Sequence, residues 1–388
     1  MNILLLGKTD SIFTRDFCLN VLGMEHANTV ILTQAFSKEY QQDYAAENIK
    51  EVKWPDLFLK RIRCQPGSIF RLPQIWKKLW QEIGFVKEID VFHVHYVEAL
   101  HLLYFFPFWT SAGKRILTFW GSDLYTLSFV NRQILRLFLN QASRIVLMIP
   151  EQHKYFQLLY GNKYEKKIRV IDFGNSLIDE LDKVIAKYTK KECKDYFQLP
   201  ADKVIVHIGY NAARVQQHLR LIEGILCLPI EERSRLKLVF GMSYKHDSDF
   251  EQYKQQLSDQ MKAAKVDYCF VEKYMQGEEL AMFRRTCDLF LYGQKTDARS
   301  ESPLEYVYGG AEFICPEWLA GHYGILDQAK ARYYVYEDFD NLSDSIRRCF
   351  ENMDVYGESI SEWGRQIIRS EISWDSVRGE WRSLYADE

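Results

Sequence analysis

The chain has no paired cysteines. Its eight, at Cys18, Cys64, Cys193, Cys227, Cys269, Cys287, Cys315 and Cys349, form no C-x-x-C, and no histidine pair beside them has zinc-ligand spacing. That excludes a disulfide scaffold and a zinc module, and it fits reduced, buried thiols in a cytoplasmic protein. Neither charge is in excess. Fifty Lys and Arg face 53 Asp and Glu, for a net charge of -3, which gives no whole-chain argument for a nucleic-acid partner. No apolar run is long enough to span a membrane. The opening M-N-I-L-L-L-G-K-T-D has no basic lead and no small-residue cleavage site, so it reads as a buried first strand and not a signal peptide. There is no internal repeat or low-complexity tract, and no D-x-D follows a predicted strand.

What is present is an ordinary globular composition, 47% hydrophobic and 27% charged, over a length that accommodates two domains. Aromatic content of 15% is high. Short apolar runs at 2–6, 29–32, 91–94, 115–119, 144–148 and 168–171 predict strands, with helices over 131–141 and 151–160 between them. After the segment Asp172-Phe173-Gly174-Asn175-Ser176 a second series begins at 204–208, 236–240, 268–271 and 289–292. Helices fit at 215–228 and 249–264. The Lys-rich stretch 179–194 is expected to be a helix bridging the halves. Strands alternating with helices predict parallel sheets, whose ligands gather at the carboxyl ends of the strands.

The stretch from Cys287 to Gly310 is the most informative. A strand over Leu289 to Tyr292 leads into a polar loop, and a helix is expected to begin near Ser302-Pro303 with Glu305 in its first turn. An open helix N-terminus after a strand suits a phosphate group. Asp297 and Glu305 form a D-x7-E pattern. Three further patterns precede it: Asp90-Val91-Phe92-His93-Val94-His95-Tyr96, Phe119-Trp120-Gly121-Ser122-Asp123-Leu124-Tyr125, and His207-Ile208-Gly209 running on through His218.

D-x7-E resembles the E-x7-E signature of retaining nucleotide-sugar glycosyltransferases. Trp120 to Tyr125, Gly209 to His218 and Arg285 to Leu289 are similar to the W-G-A-D-L-Y, G-N-S-x-x-x-S-N-x-H and R-x-C-D-L elements of bacterial 4-acetamido-4,6-dideoxygalactose (Fuc4NAc) transferases. The resemblance covers roughly residues 90 to 320. It implies an α/β protein of the GT-B fold, with two Rossmann-like domains facing across a cleft. Residues 1–175 would form the acceptor domain and 176–362 the nucleotide-sugar domain, with a helix over 363–388 crossing back to the first.

The donor site so implied comprises Gly7, Gly209, Tyr210, Asn211, His218, Lys245, Tyr274, Asp297, Ser302, Pro303, Leu304 and Glu305. Glu305 would hold the ribose and Asp297 the sugar hydroxyls. Gly209 would allow close backbone approach to the diphosphate, and Tyr274 lies in a segment suited to the base. Arg214 is the expected cation on the leaving group, with Lys245 second, because a guanidinium grips phosphate oxygens in a fork. No metal is expected. On the acceptor side stand Trp120, Gly121 and Ser122, with His95 and Asp123 as candidate bases. The Asp123 turn equally suits a helix cap.

The acceptor implied is a glycan or lipid-linked glycan of bacterial envelope synthesis, with no nucleic-acid partner. Trp54 to Trp80 interleaves Lys60, Arg61, Arg63, Arg71, Lys77 and Lys78 with aromatic and aliphatic residues, a composition suited to an anionic membrane surface at the inner face of the cell membrane. Two alternatives stand beside a transferase. One is a non-catalytic binder of sugar nucleotides. The other is a sugar-nucleotide epimerase of the same fold.

Overall fold

A computed structural model describes residues 1–23, 27–36, 38–54, 72–84, 88–297 and 299–386. The chain divides into two compact units, one made of residues 1–174 and 374–388, the other of 175–373.

The first unit is built on seven parallel strands: β1 (Asn2–Leu6), β2 (Asn28–Thr33), β3 (Ile49–Lys53), β4 (Ile89–His95), β5 (Ala112–Thr118), β6 (Arg144–Leu147) and β7 (Ile168–Val170). Their order is β3-β2-β1-β4-β5-β6-β7. Ile3 lies opposite Thr29 on one side and Val91 on the other. Both faces of the sheet are covered, which is why these strands read as nearly continuous apolar runs. Side chains alternate between the faces. Leu4, Leu6, Phe92, Val94 and Leu117 pack under the helices Ala99–Tyr104, Phe106–Ser111 and Phe129–Gln141. Ile3, Leu5, Val91 and Ile116 pack on the other face, beneath the helices Ile12–Phe17 and Trp374–Ala386.

That last helix is a structural member of the first unit. Trp381 donates its indole N–H to the Asp172 carbonyl at 2.8 Å and meets Phe17 edge-on at 5.0 Å. The sequence pattern suggests one helix from 363 onward, but Ser373 is extended (φ -74°, ψ 152°) and breaks it. The preceding helix, Glu362–Ile372, buries Ile368 and Ile372 in the second unit.

The second unit has six parallel strands: β8 (Val204–Ile208), β9 (Leu236–Gly241), β10 (Asp267–Val271), β11 (Leu289–Leu291), β12 (Glu312–Pro316) and β13 (Tyr333–Tyr336), in the order β10-β9-β8-β11-β12-β13. The order reverses between β8 and β11, and a crevice at the carboxyl ends of those two strands is where ligands bind in such sheets. The stretch 179–194 does not bridge two halves. It forms two helices, Leu177–Lys187 and Lys190–Tyr196, the second opened by a Thr189–Glu192 capping box. Leu181, Val184 and Cys193 bury beside Ala281 and Met282 within the second unit. The unit closes on itself: the Asn175 amide donates to the Ile372 carbonyl at 2.7 Å.

Candidate functional site

In the second unit, β8 ends at Gly209, which has φ +63°. A β-carbon there would lie 2.8 Å from His218 Nε2 and 3.0 Å from Gln216 Oε1, so only glycine fits. The continuous helix expected over 215–228 is interrupted. A short turn, Arg214–Gln216, ends at Gln217 in the left-handed region, and the helix proper runs His218–Leu226. The break carries Gln216 and His218 back beside the glycine, and both side chains are fully buried.

Each of the two is half satisfied. Gln216 Nε2 donates to Gln294 Oε1 at 2.6 Å, and His218 Nδ1 meets the Tyr253 hydroxyl at 3.0 Å. Gln216 Oε1 and His218 Nε2 complete no hydrogen bond. Burial holds the imidazole down to about 3, against an opposing pull from the Asn211 main chain, so it is neutral near pH 7. Two unpaired polar atoms therefore flank Gly209 at the switch point. Asn211 Oδ1 accepts from Ala213 N at 2.9 Å and shapes the same loop.

β11 ends opposite this loop. Asp297 Oδ2 accepts from the hydroxyls of Tyr292 (2.6 Å) and Tyr323 (2.9 Å) and from Ser300 N (2.7 Å), while Oδ1 accepts from Ser300 Oγ (2.9 Å). This corrects the expectation that Asp297 is open to sugar hydroxyls; it braces the loop. Tyr210 belongs to the same network, its hydroxyl 2.8 Å from Ser300 Oγ.

The helix after this loop is Glu301–Tyr308, so it begins before Ser302-Pro303 and Glu305 lies beyond the first turn. Glu305 is buried. Its Oε2 accepts from Arg284 Nε at 2.9 Å and its Oε1 from Asn175 Nδ2 at 3.1 Å. Arg284 also donates to the Tyr306 hydroxyl (2.7 Å) and to Ser302 Oγ (3.3 Å). Glu305 is thus a fixed carboxylate, with one lone pair left on each oxygen. Pro303 and Leu304 are buried. Glu301, at the first helical position, receives Asn175 Nδ2 at 3.3 Å, and burial pushes its carboxyl up to about 7.

Arg214 does not stand free over the glycine loop. It is ion-paired with Asp249, and its guanidinium lies 4.4 Å from the centre of the Tyr253 ring. Lys245 is exposed, in the left-handed region. Tyr274 is exposed, its ring 6.5 Å from that of Tyr244. Gly7 belongs to the first unit and not to this constellation.

In the first unit the order of strands reverses between β1 and β4, next to Gly7 and His95. His93 is structural: its ring nitrogens meet the Tyr385 hydroxyl at 2.6 Å and Thr118 Oγ1 at 2.7 Å. His95 is buried with both ring nitrogens unpartnered, and burial holds it down to about 3. Its ring contacts Phe17 (4.4 Å) and Trp120 (5.6 Å), and the Trp120 indole N–H is unpartnered too. Tyr96, the next residue, has φ +62°, a strained backbone of the kind that gathers at functional sites. Its hydroxyl lies 3.0 Å from Ser122 Oγ.

Asp123 braces the turn. Its carboxylate accepts from Val97 N (2.7 Å), Trp120 N (2.9 Å) and Gly121 N (2.8 Å). Burial pushes it up to about 7 while those donors pull it down. Gly121, at φ 125° and ψ -76°, makes this turn possible.

Sequence reasoning overlooked Asn175, Arg284, Gln216 and Glu301. The first lies in the N-S pair used only as a boundary, and the second sits one residue before the R-x-C-D-L element. No family model matches the chain, and no curated protein matches it in sequence. Solved structures do. Anabaena HepE, in complex with UDP and glucose, matches with a TM-score of 0.69 at 12% identity over 100% of both chains. Sucrose-phosphate synthase from Thermosynechococcus elongatus gives 0.74 at 13% identity, over 100% of this chain and 98% of that one. A glycosyltransferase from Rickettsia africae gives 0.73 at 14%, over 100% and 99%. These likenesses show the fold: the two Rossmann-like units are those of GT-B.

Proposed function

We propose that this chain is a glycosyltransferase that takes its sugar from a nucleotide donor, with UDP as the nucleotide. The observation that carries this is the pair of buried, unpaired polar atoms, Gln216 Oε1 and His218 Nε2, flanking Gly209 at the switch point of the second sheet. Buried polar groups are normally satisfied, so an unpaired pair at a ligand crevice argues for a missing partner. HepE, similar in fold, was solved with UDP-glucose as well as with UDP.

In this reading the diphosphate lies over Gly209, where His218 and the main-chain N–H groups of the loop stabilise the charge that develops as the sugar–phosphate bond breaks. Arg214 reaches it only by leaving Asp249. Glu305, held by Arg284 and Asn175, accepts from the ribose hydroxyls through its spare lone pairs. Tyr274 and Lys245 lie on the loops that would meet the base and phosphates. No metal is invoked. The first unit takes the acceptor, where neutral His95 accepts the proton or hydrogen bond of the attacking hydroxyl and Trp120 offers an indole N–H. That acceptor is a glycan, lipid-linked or free, in envelope polysaccharide synthesis.

A second reading is a non-catalytic binder. Asp297 and Arg214 favour it, since both are committed to protein partners. Calorimetry with UDP, dTDP, GDP and their glucose conjugates tests the donor site. UDP binding in the parent chain, lost when Gln216→Ala and His218→Ala are combined, is the expected result; absence of binding by every nucleotide overturns it. Slow release of free sugar from the bound donor separates the enzyme from the binder.

A further inference from the structure

We propose that the outer face of the helices Ala99–Tyr104, Phe106–Ser111 and Phe129–Gln141 docks on an anionic phospholipid surface. The three form one layer over the first sheet. Inward they bury Leu102, Phe108, Leu135 and Phe138, with Phe105 buried where the first two join, and Phe106 meets Phe138 edge-on at 6.3 Å. Outward they expose Leu100, Leu103, Phe106, Phe129, Val130 and Leu137, with Phe129 at 68% and Leu137 at 58%. Single exposed apolar side chains are ordinary, but six on adjoining helices mark an interaction face.

Charge decides what covers it. Between Glu98 and Glu151 the sequence has one acidic residue, Asp123, in a chain that has 53. Asp123 is buried and held by three main-chain N–H groups, so it offers no negative charge outside. Arg132 and Arg136 lie on the third helix. The helix Leu72–Ile83 adjoins the layer, with Trp76 Nε1 donating to the Tyr104 carbonyl at 2.9 Å and Trp80 stacked on Phe108 at 4.5 Å, and it exposes Lys77 and Lys78, the latter 3.5 Å from its one acidic residue, Glu82. A second copy of the chain would set this basic face against another of the same sign. An anionic bilayer meets both features, taking the apolar side chains below its headgroups and the cations among them.

The face shares Lys77 and Lys78 with the stretch the sequence suggested and otherwise lies on other helices. Of Trp54 to Trp80, residues 55–71 lie outside the described residues, and Trp54 is buried. The inference is independent of the donor reading.

Co-sedimentation of the full chain with phosphatidylcholine vesicles, with and without phosphatidylglycerol, tests it. The parent should pellet with the anionic vesicles at low salt and be released as salt is raised. Two variants, Phe129→Ser/Leu137→Ser and Lys77→Glu/Lys78→Glu/Arg136→Glu, should each lower the bound fraction at least about fivefold. Their UDP affinity and melting temperature should stay at parental values. A parent that stays in the supernatant, or variants that bind as it does, overturns the proposal. So does a light-scattering mass of two copies that falls to one in Phe129→Ser/Leu137→Ser, which would identify a second chain as the occupant.

Discussion

Arg284 Nε donates to Glu305 Oε2 across 2.9 Å, and the two residues are only 7% and 8% exposed. The pair lies at the end of the second sheet where the donor ribose is proposed to bind. Its energetics therefore differ from those of a carboxylate free in a cleft. Removing one charge leaves the other buried and uncompensated, which costs on the order of 3 kcal/mol. Glu305→Gln should lower the melting temperature by several degrees as well as weaken UDP binding. The double variant Arg284→Met/Glu305→Leu should recover most of the stability but none of the affinity. Denaturant titration and calorimetry on the same samples check this; full affinity in the double variant would remove Glu305 from the site.

Gly209→Ala puts a methyl group 2.8 Å from His218 Nε2 at a φ of +63°. It should cost about 1 kcal/mol or more in stability from backbone strain alone. UDP affinity should fall at least about tenfold, by filling the space the diphosphate needs. Combining it with His218→Ala relieves the steric contact but not the strain, so stability should rise partway and affinity should stay low.

Glu301 gives the second unit a pH dependence. Its carboxyl is pushed up to about 7 from a reference of 4.5, chiefly by burial, with the Glu305 charge adding to it and Arg299 opposing it. A raised value means that the folded state holds the proton more tightly than the unfolded chain. The resulting stabilisation is complete below the unfolded value and is lost as pH rises through about 7. Between these limits the parent should lose at most about 3 kcal/mol relative to Glu301→Gln. UDP affinity should fall over the same range in the parent only, because an ionised Glu301 repels the diphosphate. Urea titrations and calorimetry at pH values on either side of about 7 give both slopes. Parallel curves for the two proteins would remove Glu301 from the account.

The strands were legible because each is an apolar run of the right length. Observed β1 and β8 occupy the residues expected, and eight others lie within a few residues of their runs. β3, Ile-Lys-Glu-Val-Lys, was not legible, since it lies at the sheet edge and three of its five residues are charged. β12 hid a buried Glu312, neutralised by Arg332 at 2.6 Å. At the site, composition located the right loops but not the right partners. Asp297 and Asp123 have the chemistry of ligand-binding carboxylates, and only the fold shows that hydroxyl and N–H groups of the protein already occupy them. Gln216 and Gln217 carry no charge and drew no role from the sequence. In the structure Gln217 is the left-handed break that turns Gln216 and His218 toward Gly209.

Removing residues 374–388 takes Trp374, Val377, Trp381 and Leu384 out of the first unit's core. Hydrogen exchange should then rise across residues 1–174, while residues 175–373 keep their protection. Equal protection in both proteins would show that the helix is dispensable to the unit it packs on.

The second unit interrupts the first in the sequence, entering at Asn175 and leaving at Ser373. Domains usually fold in the order in which the ribosome delivers them. Here that order is inverted. Residues 175–373 are fully synthesised before Trp374 appears, so the later part of the chain can fold first. Until Trp374 and Trp381 arrive, Phe17 and Phe173 lack the aromatic partners that cover them. The growing polypeptide therefore carries an uncovered aromatic surface at its amino-terminal end until its last helix is made.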